Sequence, residues 1–295
     1  MVHGTRGKNE GRVRSWPRYL DVYTNERARA LSLLSKPQAW DSTPMTSYFR
    51  EYYWIPILAV SLYVAVIFGG KLLMSQMRPF DLRWSLALWN LGLSVFSWMG
   101  AIRTVPHLLA TIGTNGVYFS MCEPACGTFG IGDVGFWTCL FIISKFPELI
   151  DTVFIVLRKK PLIFLHWYHH ATVLLYCWQS FSTQNSAGIY FIAMNFTVHA
   201  IMYGYYALKA VGLWPRFIPS WIITILQLSQ MIVGIVVSIM TYKFEHVDKR
   251  PCSVSYVSAT SGAIMYFTYF ILFLQILAKT LTKGMPKKSN KKKIE

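Results

Sequence analysis

Long apolar segments, each of about 18 residues or more, constrain this chain more than any other feature of its sequence. A helix of that length spans a bilayer, because in lipid the backbone has to satisfy its own hydrogen bonds. Of the 295 residues, 54% are hydrophobic and only 14% are charged, whereas soluble domains contain about 25% charged residues. The sequence therefore predicts an all-α polytopic membrane protein with seven transmembrane helices.

Short polar connections separate the seven predicted spans. The spans cover residues 53–70, 84–112, 135–157, 165–181, 187–211, 217–242 and 254–281. Pro106 lies inside the second and longest span, where it predicts a break because proline lacks the helical N–H donor. We expect three regions, namely a basic N-terminal extension (1–52), a membrane domain (53–281) and a lysine-rich cytosolic tail (282–295).

Lysine and arginine are unevenly distributed among the loops, and this asymmetry predicts the orientation. The first, third and fifth loops contain Lys71, Arg158 and Lys209 among other basic residues, whereas the second and fourth contain none. These basic loops and the tail should face the cytosol, which leaves the N-terminal extension on the other side. The net charge of +16 favours anionic lipid or a phosphate-bearing substrate as partner, with no nucleic acid.

The last residues read Lys-Lys-Ile-Glu. This is a dilysine pattern typical of retrieval to the endoplasmic reticulum membrane, where we expect this multi-pass protein to reside. The alternative is an ordinary basic tail attracted to anionic lipid.

Cysteines fall both inside the spans and between them. Cys122, Cys126 and Cys252 lie in loops assigned to the oxidising side of the membrane, so one disulfide is expected among them. We choose Cys122 with Cys252, which would join the second and sixth loops.

Three histidines lie within five residues of an apolar, aromatic segment, at His166, His169 and His170. On a helix, His166 lies one turn from each of the other two. Ionisable groups are costly inside a membrane and therefore indicate a functional site. The alternative is a pair of hydrogen-bonded core histidines with a third at an interface.

Other polar side chains recur in spans two to six. The third span reads Lys145-x-x-Glu148-x-x-Asp151-Thr152, where ion pairs of Lys145 with Glu148, and of Asp151 with Arg158 or Arg103, are an alternative to a catalytic role. In the fifth span the motif is His199-x-x-Met-Tyr203-x-Tyr-Tyr206, and in the sixth Thr224-x-x-Gln227-x-x-Gln230. The two glutamines could also bind neighbouring helices together.

Histidine clusters can bind metal or act without it. Di-iron desaturases and hydroxylases use about eight histidines, whereas this chain has seven, with His3 and His246 outside the predicted spans. One zinc ion held by three histidines is a further alternative. We favour no metal, because clustered imidazoles suit nucleophilic and acid–base catalysis. A Cys177–His pair ranks lower, since no charge nearby would favour the thiolate.

Taken together, the four motifs resemble the ELO family of very-long-chain fatty acid elongases, and the resemblance extends from about Tyr53 to Leu281. The histidine motif, with Trp167 after its first histidine, resembles that of the family branch which acts on saturated and monounsaturated chains. The resemblance implies a 3-oxoacyl-CoA synthase that condenses long-chain acyl-CoA with malonyl-CoA and releases CO2 and CoA, with no cofactor besides these substrates. It also implies six helices in an inverted barrel around a tunnel open to the cytosol, with the seventh helix outside.

By analogy, we expect a covalent mechanism in which His169 takes the acyl group and His170 and His199 transfer protons and stabilise an enolate. The expected catalytic set is His166, His169, His170, His199, Asp151 and Glu148, with the two carboxylates orienting the imidazoles. The expected substrate-binding set is Lys145, Tyr203, Gln227, Gln230, Arg158, Lys159, Lys160 and Arg216, of which the last four would bind the CoA phosphates.

A 3-oxoacyl-CoA reductase, a 3-hydroxyacyl-CoA dehydratase and an enoyl-CoA reductase would complete the elongation cycle as partners, and a homodimer is compatible with the sequence. The alternative enzyme is a metal-dependent membrane desaturase or hydroxylase. A proton-relay transporter or channel is the third possibility.

Overall fold

The structure, a computed structural model, describes residues 40–215 and 218–283. Their regular structure is helical, apart from an isolated β-bridge between Asp41 and Ile131, as the apolar pattern predicts. The nine α-helices of this part of the chain are α1 (Thr43–Glu51), α2 (Trp54–Ser75), α3 (Arg83–Cys122), α4 (Gly132–Ser144), α5 (Ile150–Leu157), α6 (Phe164–Ser182), α7 (Gly188–Ala210), α8 (Trp221–Tyr242) and α9 (Tyr256–Lys283).

Four helical segments are long and apolar enough to cross a membrane. They are Trp54–Ser75, Arg83–Cys122, Trp221–Val247 and Tyr256–Thr282. Their outward faces carry many exposed large apolar side chains, including Leu72, Trp84 and Ile239. In water such a surface would be unfavourable, whereas lipid solvates it. The chain is therefore a polytopic membrane protein.

The predicted break at Pro106 in the second span was wrong. Helical backbone continues through Pro106, and the break in α3 lies at Gly116 instead, where φ is 81°, ψ is 171° and two helical segments meet at a kink. Glycine adopts this positive φ without the steric cost that a Cβ would bring. After this kink a second helical segment extends to Cys122, ten residues beyond the predicted end of the second span.

The third predicted span is broken in the middle. Helix α4 ends at Ser144, a 3-10 turn covers Pro147–Leu149, and α5 begins at Ile150. The polar motif of this span occupies the break and the first turn of α5. Non-helical backbone at membrane depth is tolerated where it is buried in protein, so the break creates an internal polar site.

Helices α3 and α7 pack along much of their length. Where they touch, Gly100 lies against the ring of Phe196, so closely that a Cβ at position 100 would overlap the ring. At one end of this pair, the Arg83 guanidinium donates hydrogen bonds to the carbonyl oxygens of Ala210 and Val211, at 2.9 and 2.6 Å. The first residue of α3 and the last of α7 therefore lie at the same end of the molecule.

The opposite end contains the disulfide. Cys122 at the end of α3 is bonded to Cys252, which precedes α9. Cys126, the third loop cysteine, is free and exposed. Helix α1 contacts the C-terminal end of α6, where the Trp178 indole donates a 2.7 Å hydrogen bond to the Phe49 carbonyl oxygen. Of the predicted N-terminal extension and tail, residues 1–39 and 284–295 lie outside the described residues.

Candidate active site

One cavity of about 630 Å³ is enclosed by α5 to α9, and α3 closes one side of it. Many of the side chains chosen from the sequence line this cavity. They are Asp151, Arg158, His166, His169, His170, His199, Tyr203, Gln227 and Gln230. Lys145, Glu148, Lys159 and Lys160 do not line it, and Arg216 lies outside the described residues.

The histidine cluster comes from two helices. His166 and His170 lie four residues apart on α6, with ring centroids 4.6 Å apart. The His169 ring lies 5.4 Å from that of His170 and 5.0 Å from that of Tyr269 on α9. His199 on α7 completes the cluster from across the cavity. Four imidazoles thus face one enclosed space, as a multistep acid–base or covalent reaction requires.

His166 is held by a chain of hydroxyl groups. Its Nε2 lies 3.0 Å from Thr152 Oγ1, and this oxygen lies 2.7 Å from the Tyr63 hydroxyl. Thr152 comes from the polar motif at the start of α5, whereas Tyr63 comes from α2 and is buried. A helix that does not line the cavity therefore contributes to the orientation of a cavity imidazole.

Asp151 binds neither Arg158 nor Arg103 in the structure. The Trp89 indole donates to its Oδ1 at 2.6 Å, and the Tyr203 hydroxyl donates to its Oδ2 at 2.7 Å. Oδ2 also lies 3.9 Å from His170 Nε2. Neutral donors satisfy this carboxylate, so it can face a histidine while remaining hydrogen-bonded.

Glu148 has a different environment. Its Oε1 accepts hydrogen bonds from Lys145 Nζ at 2.7 Å and from Ser144 Oγ at 3.0 Å. Both charged residues are buried, and Lys145 also lies over the Phe141 ring, 4.0 Å from its centroid. This is the ion pair that the sequence analysis gave as an alternative. Among the described residues, the other oxygen of Glu148, Oε2, is buried without a hydrogen-bond partner, so no hydrogen bond joins Glu148 to an imidazole.

Asn195 joins this ion pair to the histidine cluster. Lys145 Nζ donates to Asn195 Oδ1 at 3.3 Å, and Asn195 Nδ2 lies 3.1 Å from His199 Nε2. Sequence reasoning gave no role to this residue, which begins the glycosylation sequon Asn195-Phe-Thr197. Its spacing of four residues from His199 on one helix was the available signal.

The two glutamines of α8 lie on the cavity wall. The Gln227 amide donates to Met202 Sδ at 3.2 Å, a weak acceptor, and Gln230 is buried. An amide whose protein acceptor is only a thioether sulfur, as for Gln227, can donate to a ligand oxygen instead.

Basic residues mark one end of the cavity. Arg158 follows α5 and Lys209 lies near the end of α7, and both line the cavity. Lys159 Nζ instead donates to the carbonyl oxygens of Ser75 and Met77, which ties two loops together, and Lys160 is exposed. Lys209 was counted in a basic loop but not assigned to the site.

Comparison with known proteins agrees with the motifs. Residues 48–289 match the ELO (GNS1/SUR4) family. The chain is 44% identical over 226 residues to very long chain fatty acid elongase 6 of Drosophila melanogaster, covering 74% of this chain and 69% of the relative. It is 44% identical over 214 residues to the Gallus gallus protein of the same name, covering 72% and 79%. It is 37% identical over 276 residues to fatty acid elongase 3 of Trypanosoma brucei brucei, covering 85% and 91%.

A helical membrane protein with a histidine-lined internal cavity is the class defined by the fold and the site. The match over most of the chain shows that this protein belongs to the ELO family.

Proposed function

We propose that this protein is the condensing enzyme of fatty acid elongation, a very-long-chain 3-oxoacyl-CoA synthase. It joins a long-chain acyl-CoA to malonyl-CoA and releases CO2 and free CoA. The histidine motif with Trp167, together with the match to relatives named very long chain fatty acid elongase 6, supports saturated and monounsaturated acyl chains as the proposed substrates. The observation that carries the proposal is the placement of the four family motifs around one cavity, which four imidazoles line.

The reaction proceeds in two stages. His169 attacks the acyl-CoA thioester, the carbon–sulfur bond breaks, and CoA leaves as the thiol after taking the ring proton that His169 loses when it is acylated. Malonyl-CoA then loses CO2, and the resulting enolate carbon attacks the acyl-imidazole. Its carbon–nitrogen bond breaks, 3-oxoacyl-CoA forms, and the ring nitrogen of His169 takes up a proton that His170 relays from solvent. An acyl-imidazole hydrolyses readily, so an enclosed cavity that excludes water protects it.

The surrounding residues have separate tasks in this proposal. Asp151, held by Trp89 and Tyr203, orients His170 for proton transfer. Gln227 and Gln230 donate hydrogen bonds to the thioester oxygens. Arg158, together with Lys209, binds the CoA phosphates at the cavity mouth. No cofactor beyond the two CoA thioesters is needed.

The arrangement in the membrane extends this proposal. In this proposal the protein has seven spans, six of which form an inverted barrel. The cavity mouth with Arg158 and Lys209 then faces the cytosol, as does the C-terminus. The disulfide supports this orientation, because it lies at the end of α3 away from Arg83, and disulfides persist on the oxidising side of the membrane. The endoplasmic reticulum is the proposed membrane, and the other three elongation-cycle enzymes are the proposed partners.

The test uses the purified full-length protein. After incubation with palmitoyl-CoA alone, mass spectrometry should find an acyl group on the peptide that contains His166 to His170. Addition of labelled malonyl-CoA should then release CO2 and give a product two carbons longer.

His169→Ala should abolish both events. The matched control is His107→Ala, which changes a histidine on α3 that does not line the cavity. A desaturated or hydroxylated product without CO2 release would overturn the function, and full turnover by His169→Ala would overturn the covalent role.

A further inference from the structure

Asn195 connects a buried cation to a cavity histidine. It lies on α7 one turn before His199, and its side chain is buried. Its amide oxygen faces Lys145 at 3.3 Å, and its amide nitrogen faces His199 Nε2 at 3.1 Å. Amide oxygen and nitrogen have nearly equal size, so only the hydrogen-bond partners determine which way the group is turned.

Lys145 determines which way the Asn195 side-chain amide is turned. An ammonium group has three donors and no acceptor, so the Asn195 atom next to it has to be the oxygen. Glu148 in turn holds the ammonium group in place at 2.7 Å. The asparagine NH2 is therefore turned towards His199 by two buried charges on another segment of the chain.

The amide NH2 can only donate, so His199 Nε2 has to accept. A neutral imidazole that accepts at Nε2 carries its proton on Nδ1. We propose that Asn195 is a positioning residue which holds His199 in the Nδ1–H tautomer, so that His199 presents a hydrogen-bond donor to the substrate in the cavity that it lines. This inference rests on the proposed function.

The chemistry of condensation requires such a donor. When malonyl-CoA loses CO2, negative charge develops on the thioester oxygen of the enolate, and a fixed donor stabilises that charge. The lone pair of His199 is meanwhile engaged by Asn195, so His199 does not compete with His169 for the acyl group. The two histidines are thereby assigned different tasks by their hydrogen-bond partners.

The tautomer can be measured without turnover. Nitrogen-15 NMR of histidine-labelled protein in lipid, compared with the His199→Gln variant, identifies the His199 signals by difference. We expect an unprotonated Nε2 and a protonated Nδ1. A proton on Nε2 in the unmodified protein would overturn the inference, whatever the enzyme's activity.

Kinetics provide the second test. Asn195→Leu removes the donor and the acceptor at similar side-chain size, and should slow the condensation stage by about 100-fold, the typical effect of losing one donor to a developing oxyanion. Formation of the acyl-enzyme from acyl-CoA alone should change by no more than a few-fold. Equal losses in both stages, or no loss, would contradict the positioning role.

Thr197→Ala is the matched control. Thr197 lies two residues further along α7, and its hydroxyl donates to the Ala193 carbonyl oxygen. Its replacement removes the same sequon. It should leave both stages unchanged, which separates hydrogen bonding by Asn195 from glycosylation. If the Nδ1–H tautomer is found but no 3-oxoacyl-CoA is made, the proposed function fails while the inference stands.

Discussion

Tyr203 on α7 donates a 2.7 Å hydrogen bond to Asp151 on α5. The other oxygen of the same carboxylate accepts from Trp89 on α3, so three helices hold one acidic group. The carboxylate also lies 3.9 Å from His170. Hydrogen bonds from two neutral donors thus fix an acid beside the histidine cluster.

Tyr203→Phe removes one of the two donors to Asp151. We expect the kcat of condensation to fall about 10-fold, because a hydrogen bond to a charged group contributes about 1.5–3 kcal/mol and its loss lets the carboxylate turn away from His170. Steady-state kinetics with palmitoyl-CoA and malonyl-CoA would measure this. Tyr242→Phe, at an exposed position, is the control, and equal rates for both variants would contradict the role of Tyr203.

Tyr63→Phe tests the hydroxyl chain to His166. Thr152 would keep His166 as its partner but lose the second contact that fixes its direction. We expect turnover to fall several-fold, with a loss of stability of about 1 kcal/mol, the usual net value of one hydrogen bond. Turnover and thermal unfolding should be measured on the same preparations. Tyr53→Phe, which is exposed, should change neither quantity.

Gly100→Ala tests the close packing of α3 against α7. A Cβ at this position would overlap the Phe196 ring, so we expect a loss of about 1–3 kcal/mol from overpacking. Gly92→Ala on the same helix meets no atom within 4 Å and should be neutral or stabilising, since alanine favours a helix by about 1 kcal/mol. Thermal unfolding in detergent distinguishes the two. Equal midpoints would show that the helices can separate without cost.

Arg158→Gln tests the proposed CoA contact. The KM for acyl-CoA should rise about 10-fold, because a charge-assisted hydrogen bond to phosphate is lost, and the difference should shrink at high salt. Lys160→Gln removes a nearby positive charge that does not line the cavity and should have a much smaller effect. A similar rise in both variants would indicate a general surface potential instead of a specific site.

The sequence predicted the helical membrane class from apolar segment length, and it predicted the ELO family from four polar motifs in order. Both predictions are confirmed by the fold and by the family match. Segment length is a local property, and the motif residues can be read along the chain. For the same reason the sequence identified the histidines on α6 and His199 as one candidate set, and the structure places them in one cavity.

Local patterns failed where a residue's effect depends on its neighbours in space. Pro106 stays within a helix, while the chain bends at Gly116 and breaks between α4 and α5. Sequence also left open whether Glu148 binds Lys145 or an imidazole, and it gave Asn195 no role.

Those choices were made by tertiary structure. In a dry interior buried donors and acceptors need partners, and the partners of Asp151 and Asn195 come partly from segments far away in the chain. Span length and residue type determine which groups enter the membrane, whereas only the packing of the helices determines which of them meet.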